Sequence, residues 1–200
     1  MKELIVATKN EGKLREIKQL LKDFNFKITS LADYPDAPEI VEDGKSFHEN
    51  ALIKAIIIAK YTKKLVLGED SGLEVKALNN APGIYSARFS GERATDKKNN
   101  AKLLRELRDV PMPKRQAKYQ CFAALVDGKK TVAVVSGSCG GLITTKAKGS
   151  NGFGYDPYFF IKRYGKTFGE LDPAIKAKIS HRARALKKIK AVLLKHYRSL

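Results

Sequence analysis

Apolar and polar positions fall into blocks that outline most of the secondary structure. Residues 2–7 carry the apolar run Leu4-Ile5-Val6-Ala7 and read as a short strand leading into Thr8-Lys9-Asn10-Glu11-Gly12-Lys13. Thr8 and Glu11 have capping-box spacing, so a helix is predicted to begin here. Leu14, Ile17, Leu20 and Leu21 then recur at helical spacing and give one buried stripe. Residues 26–31 form a second strand candidate, and 33–38 a loop with two prolines and two aspartates. Ser46 and Glu49 make a second capping box, opening a helix to about residue 61. The centre of that helix, 51–59, is apolar nearly all round, which predicts burial on several sides.

Leu65-Val66-Leu67 reads as a short interior strand closing on Gly68-Glu69-Asp70-Ser71-Gly72, with 73–75 a candidate continuation of the sheet and a turn over 79–83. A third helix is predicted over 96–107 and a proline-bearing loop over 109–114. Residues 116–126 and 131–138 form a predicted hairpin across Asp127-Gly128-Lys129-Lys130. The glycine-rich stretch 149–154 reads as the most flexible in the chain. A last strand over 157–161, a helix start at Asp172-Pro173 and a long helix over 180–197 complete the pattern. Crossover and hairpin connections together predict an α/β fold with a mixed sheet.

Two hundred residues fit one domain with a full-sized core, or two small lobes sharing one. No apolar run approaches eighteen residues, and the first residues are too short an apolar stretch for a signal peptide, so a cytoplasmic chain is expected. The net charge of +18 favours anionic partners. Half of that excess lies between Lys176 and Arg198, a stretch with nine basic residues and no acids. Such a helix can bind nucleic acid, hold a polyanionic substrate or merely solvate an exposed face. Cys121 and Cys139, eighteen positions apart in apolar segments, match no zinc or redox spacing and read as buried inert thiols.

Gly44-Lys45-Ser46 and Gly165-Lys166-Thr167 lack the upstream glycine of a Walker A loop, and Gly152-Phe153-Gly154 lacks the third glycine of a dinucleotide fingerprint. The remaining candidates are polar clusters. Thr8 to Lys13 joins a strand to a helix N-terminus, where an anion is favoured; an ordinary capped helix with solvated lysines is the alternative. Glu69 and Asp70 suit a hard divalent cation or, equally, a β-turn. One of Glu39, Glu42, Asp43 and Glu49 is a candidate second ligand. Lys54, alone among apolar residues, must snorkel, pair with an acid or enter a polar cleft; snorkelling is the simplest of these, and Asn50 shares its face. Phe153-Gly154-Tyr155-Asp156 offers aromatic faces and a carboxylate to a nucleobase, or else a core pair and a turn. Lys176, His181 and Arg182, at the start of the basic helix, can donate to carbonyl or phosphate oxygens.

Taken in order, Thr8-x-Asn10-x-x-Lys13, Glu42-Asp43-Gly44 with Phe47-x-Glu49-Asn50-Ala51, Asp70-Ser71-Gly72-Leu73, Pro82-Gly83-Ile84-Tyr85-Ser86-Ala87-Arg88, Gly152-Phe153-Gly154-Tyr155-Asp156-Pro157 and Ser180-His181-Arg182 resemble the motifs of the non-canonical purine nucleoside triphosphate pyrophosphatases, also called inosine triphosphate pyrophosphatases. The match runs from about residue 4 to 192. It implies one pyrophosphatase domain over 1–200, with an elongated mixed sheet, flanking helices and two lobes around a central nucleotide-binding cleft.

The resemblance further implies a homodimer and Mg²⁺-dependent hydrolysis of ITP, dITP and XTP to the monophosphate and pyrophosphate, clearing deaminated purines from the nucleotide pool. No membrane or specific nucleic-acid partner is expected. By the same resemblance, Thr8, Lys9, Asn10, Gly12 and Lys13 wrap the triphosphate, Glu42 and Asp70 serve the metal, and Asp70 is the general base with Ser71 beside it. Lys54 joins the substrate residues, and Phe153, Gly154, Tyr155, Asp156, Lys176, His181 and Arg182 line the nucleotide and base pocket. Two departures stand out. Glu69 occupies a position where many relatives have aspartate, and Gly149-Ser150-Asn151-Gly152 replaces a Gly-Thr-Gly-Gly loop.

Overall fold

The computed structural model describes residues 2–196. Strand β1 (Lys2–Val6) lies between β2 (Phe26–Ser30) and β3 (Leu65–Val75), parallel to both. Parallel neighbours need crossovers, and helices α1 (Glu11–Leu20) and α2 (Phe47–Thr62) supply them. Then follow α3 (Asp96–Glu106), β4 (Gln116–Asp127) and β5 (Lys130–Ile143), the last two joined by only two residues. Short strands β6 (Phe159–Ile161) and β7 (Lys166–Thr167) precede helices α4 (Pro173–Ile179) and α5 (His181–His196). One seven-stranded mixed sheet results, in the order β2-β1-β3-β4-β5-β6-β7.

The chain divides into two compact units: residues up to Asp70, Cys121–Gly137 and from His181 on; and Ser71–Gln120 with Ser138–Ser180. In the first unit the sheet is covered on both faces, and residue parity decides which side chain goes where. Leu4, Val6, Leu65 and Leu67 pack against Ile17 and Leu21 of the α1 segment and Leu186, Ile189 and Leu193 of α5. Ile5, Ala7 and Val66 pack against Ala51, Ala55, Ile58 and Ala59 of α2. The basic last helix therefore buries an apolar stripe and leaves Lys187, Lys188 and Lys195 exposed; Tyr197 and Arg198 lie outside the described residues. In the second unit Leu103 and Leu107 pack with Leu73, Val75 and an aromatic group of Tyr119, Phe159 and Phe168. No helix among the described residues is long and apolar enough to cross a membrane.

Several boundaries differ from the sequence pattern. Leu65 to Val75 is one strand of eleven residues, so Glu69-Asp70-Ser71-Gly72 is neither a strand end nor a turn. Asn10, not Thr8, caps α1: its side chain accepts from the Lys13 N–H at 2.9 Å, while Thr8 Oγ1 accepts from the Asn10 N–H at 3.1 Å. Ser46 does cap α2, but Glu49 reaches back to the Lys45 N–H instead of that of Ser46. Lys176 belongs to α4, not to the final helix. The 149–152 segment is pinned: Asn151 donates from its backbone to Gly169 O and from its side chain to Leu171 O, both at 3.0 Å.

Gly68 shows how closely α2 lies on the sheet. A Cβ there would stand 2.2 Å from the Ala51 carbonyl oxygen and 2.7 Å from the Ala55 nitrogen, backbone atoms that cannot turn aside. Gly68→Ala is accordingly expected to cost at least about 3 kcal/mol, the upper end of overpacking penalties. Urea unfolding checks this, and a loss under about 1 kcal/mol would mean the helix shifts readily.

Candidate active site

The unbroken strand β3 sends Glu69 and Asp70 to opposite faces of the sheet. Asp70 goes to the α2 side. Its Oδ1 accepts from Lys54 Nζ at 3.0 Å and its Oδ2 from Asn50 Nδ2 at 3.3 Å. Lys54 also meets Glu42 Oε2 at 2.7 Å and the Glu69 carbonyl at 3.3 Å. Asn50 accepts the Gly44 N–H at 2.9 Å and so fastens the segment that carries Glu42. Lys54 thus does not snorkel: it is 7% exposed and shared by two carboxylates. Burial works against its charge, but Asp70 and Glu42 together outweigh that and hold its pKa above the ordinary lysine value. Burial pushes the Asp70 carboxyl up, against the opposing pull of Lys54 and Lys13.

Glu69 goes to the other face, where α1 and α5 supply its partners. Lys13 Nζ stands 2.8 Å from Oε2, and Arg182 Nη2 and the Cys121 thiol donate to Oε1 at 3.0 and 3.2 Å. Glu16, one turn after Lys13 on α1, takes the Arg182 Nη1 donor. Arg182 is 1% exposed; burial opposes its charge, but Glu69 and Glu16 more than restore it. Burial, reinforced by the Glu69 charge, pushes the Cys121 thiol well up, so it is a protonated donor and not a nucleophile. His181 is buried at the start of α5.

The second unit holds another charged group. Lys176 Nζ lies 2.6 Å from Asp156 Oδ2 and 5.2 Å from the centre of the Phe153 ring. The same carboxylate oxygen accepts the Phe153 N–H at 2.9 Å. Tyr155 turns the other way, into the core, and donates its hydroxyl to Ser86 O at 2.8 Å; burial raises its pKa.

The geometry therefore gathers Glu42, Lys54 and Asp70 in one group, Lys13 and Arg182 around Glu69 in a second, and Phe153, Asp156 and Lys176 in a third. Thr8, Lys9, Asn10 and Gly12 form the exposed or half-buried entry to α1, and Ser71 and Gly154 are half-buried. Of the acids before α2, Glu39 and Asp43 are exposed and Glu49 serves as a cap, which leaves Glu42 beside Asp70. Glu16 carries no signal in the sequence, because an exposed-looking Lys-x-x-Glu pattern on a helix is usually surface chemistry.

No group of three or more His, Cys, Asp or Glu side chains gathers as a metal cluster among the described residues. Glu42 and Asp70 nevertheless converge on one ammonium. Two carboxylates are what an Mg²⁺-type ion uses when substrate phosphates and water complete its shell. The residues fit such an ion.

Residues 4–192 match the sequence profile of the Ham1 family. The chain belongs to this family. It is 49% identical over 193 residues to a dITP/XTP pyrophosphatase of Shouchella clausii, covering 96% of this chain and 97% of that one. A dITP/XTP pyrophosphatase of Geobacter sulfurreducens is likewise 49% identical, over 190 residues covering 95% and 96% of the two chains. Among solved structures, a HAM1 protein from Coxiella burnetii superposes with a TM-score of 0.88 at 38% identity, covering 98% of this chain and 100% of that one. The Ham1 protein of Staphylococcus aureus gives 0.85 at 37% identity, covering 96% and 98%.

Removing the shared cation should expose the cost of this arrangement. Lys54→Met leaves Asp70 and Glu42 without their common partner, and a loss of about 3–5 kcal/mol is expected at neutral pH. The loss should shrink in acid as Asp70, whose carboxyl burial already pushes up, takes on a proton. Urea titrations at several pH values read it; a pH-independent cost would assign Lys54 to packing alone.

Proposed function

We propose that this Ham1-family chain is a nucleoside triphosphate pyrophosphatase that hydrolyses non-canonical purine nucleotides, ITP, dITP and XTP, to the monophosphate and pyrophosphate. The observation that carries the reading is the Glu42–Lys54–Asp70 group, its lysine and aspartate buried, in a chain about half identical over nearly its whole length to dITP/XTP pyrophosphatases. Asp70 orients a water for in-line attack on the α-phosphorus and takes its proton. A carboxyl raised by burial is a better base than an exposed one. Lys54 holds Asp70 and Glu42 in position, and Lys13 with the α1 N-terminus receives phosphate oxygens. Most of the acceleration then comes from positioning and charge stabilisation.

Glu42 and Asp70 would hold Mg²⁺, which when bound neutralises phosphate charge. His181 and Arg182 are assigned to donors for the C6 carbonyl of hypoxanthine or xanthine; adenine, with an amino group there, offers them no acceptor. Phe153, Asp156 and Lys176 supply a ring face, an acceptor and a cation to the nucleobase. The reading includes a homodimer working in the cytoplasm on deaminated purines of the nucleotide pool.

Pyrophosphate release from ITP, XTP, GTP and ATP, with Mg²⁺ and with EDTA, tests the proposal. Metal-dependent release from ITP and XTP at least about tenfold above GTP and ATP is expected, about 1.4 kcal/mol of transition-state preference. Asp70→Asn should lower kcat by at least about 10²-fold. Equal rates on all four nucleotides would overturn the base selectivity, and a near-normal Asp70→Asn enzyme would remove Asp70 from the chemistry.

A further inference from the structure

Helix α3 carries two asparagines where a helix seldom benefits from them. Asn99 and Asn100 are 4% and 8% exposed, and their side chains bond outside the helix. Asparagine is a poor helix former because its amide competes for backbone groups, so its burial here calls for specific partners. Asn100 Nδ2 donates to Gly154 O at 2.9 Å. One turn earlier on the same face, Asp96 Oδ2 accepts the Gly154 N–H at 2.7 Å. Both peptide planes flanking Gly154 are thereby held by a single helix.

Gly154 sits at φ +64°, the left-handed region that glycine enters without cost but also leaves without cost. A residue with no side chain has no rotamer or packing to fix it; the two bonds from α3 do so instead. What they fix is the turn that aims Phe153 and Asp156. Phe153 N–H and Lys176 Nζ meet on Asp156 Oδ2, and Lys176 stands beside the Phe153 ring. The next residue is anchored on a carbonyl that the same helix also holds. Tyr155 donates to Ser86 O, toward which Asn99 Nδ2 also points at 3.4 Å, with a second bond to Ala87 O at 3.1 Å.

We infer that Asp96 and Asn100 are positioning residues for nucleobase recognition, clamping Gly154 so that Phe153 and Asp156 are pre-organised before the nucleotide arrives. The inference rests on the assignment of Phe153 and Asp156 to the base. A clamp of this kind lowers the ordering cost of binding and leaves the reacting phosphate untouched. Its loss should therefore raise KM and spare kcat. Asp96 is exposed, so its removal disturbs little of the core.

Steady-state kinetics on ITP with the Asp96→Ala, Asp96→Asn, Asn100→Ala and Phe153→Ala enzymes provide the test, alongside thermal melts. Asp96→Ala and Asn100→Ala are expected to raise KM about 5- to 20-fold, the effect of one lost hydrogen bond to an otherwise ordered group, with kcat within about twofold. Asp96→Asn, which keeps an acceptor oxygen, should recover most of the loss. Unchanged KM in Asp96→Ala and Asn100→Ala, with Phe153→Ala impaired, would overturn the clamp and leave the base assignment standing. Unchanged KM in Phe153→Ala would overturn that assignment and the clamp with it. A lowered melting temperature with unchanged KM would reduce the two residues to a structural role.

Discussion

Two adjacent carboxylates buried in one strand constrain everything around them. Glu69 and Asp70 are 2% and 5% exposed, and neither charge can stay there without cations brought to meet it. Because β3 runs unbroken through both, the cations must come from opposite faces of the sheet. On one face α2 places Lys54 at Asp70; on the other α1 and α5 bring Lys13 and Arg182 to Glu69. Gly68, immediately before the pair, lets α2 come close enough for a lysine to reach across.

The same constraint separates the roles that two neighbouring acids could share. Asp70, with Glu42 drawn to the same ammonium, has the raised carboxyl and the convergent oxygens suited to water and metal. Glu69 gives its oxygens to Lys13, Arg182 and the Cys121 thiol, and so ties α1, β4 and α5 together on that face. The extra methylene of Glu69 relative to aspartate lets one carboxylate serve partners from α1, β4 and α5.

Much of this was legible in the sequence. The all-round apolar α2 and the isolated Lys54 within it were visible as anomalies, and Asn50 on the same face pointed to their resolution. The helix start at Asp172-Pro173, the Asp-Gly hairpin and the presence of a long last helix followed from local pattern; the apolar stripe that α5 buries was hidden behind its basic residues. The continuity of β3 did not. Gly-Glu-Asp-Ser-Gly has turn composition, and only pairing within a sheet and cations from three helices make it a strand. Thr8 looked like a cap because the spacing to Glu11 fitted, whereas Asn10 was closer to the first turn and took the bond. Glu16, Asp96 and Asn100 escaped because their partners, Arg182 and Gly154, lie more than fifty residues away in sequence. Tyr155 was grouped with Phe153 by adjacency, but its ring and hydroxyl turn into the core.

In the proposed mechanism a water oriented by Asp70 attacks the α-phosphorus. A single turnover of ITP in ¹⁸O-labelled water, followed by mass spectrometry of both products, tests it directly. One ¹⁸O atom is expected in the inosine monophosphate and none in the pyrophosphate. Label in the pyrophosphate would place the attack on the β-phosphorus and contradict the role given to Asp70.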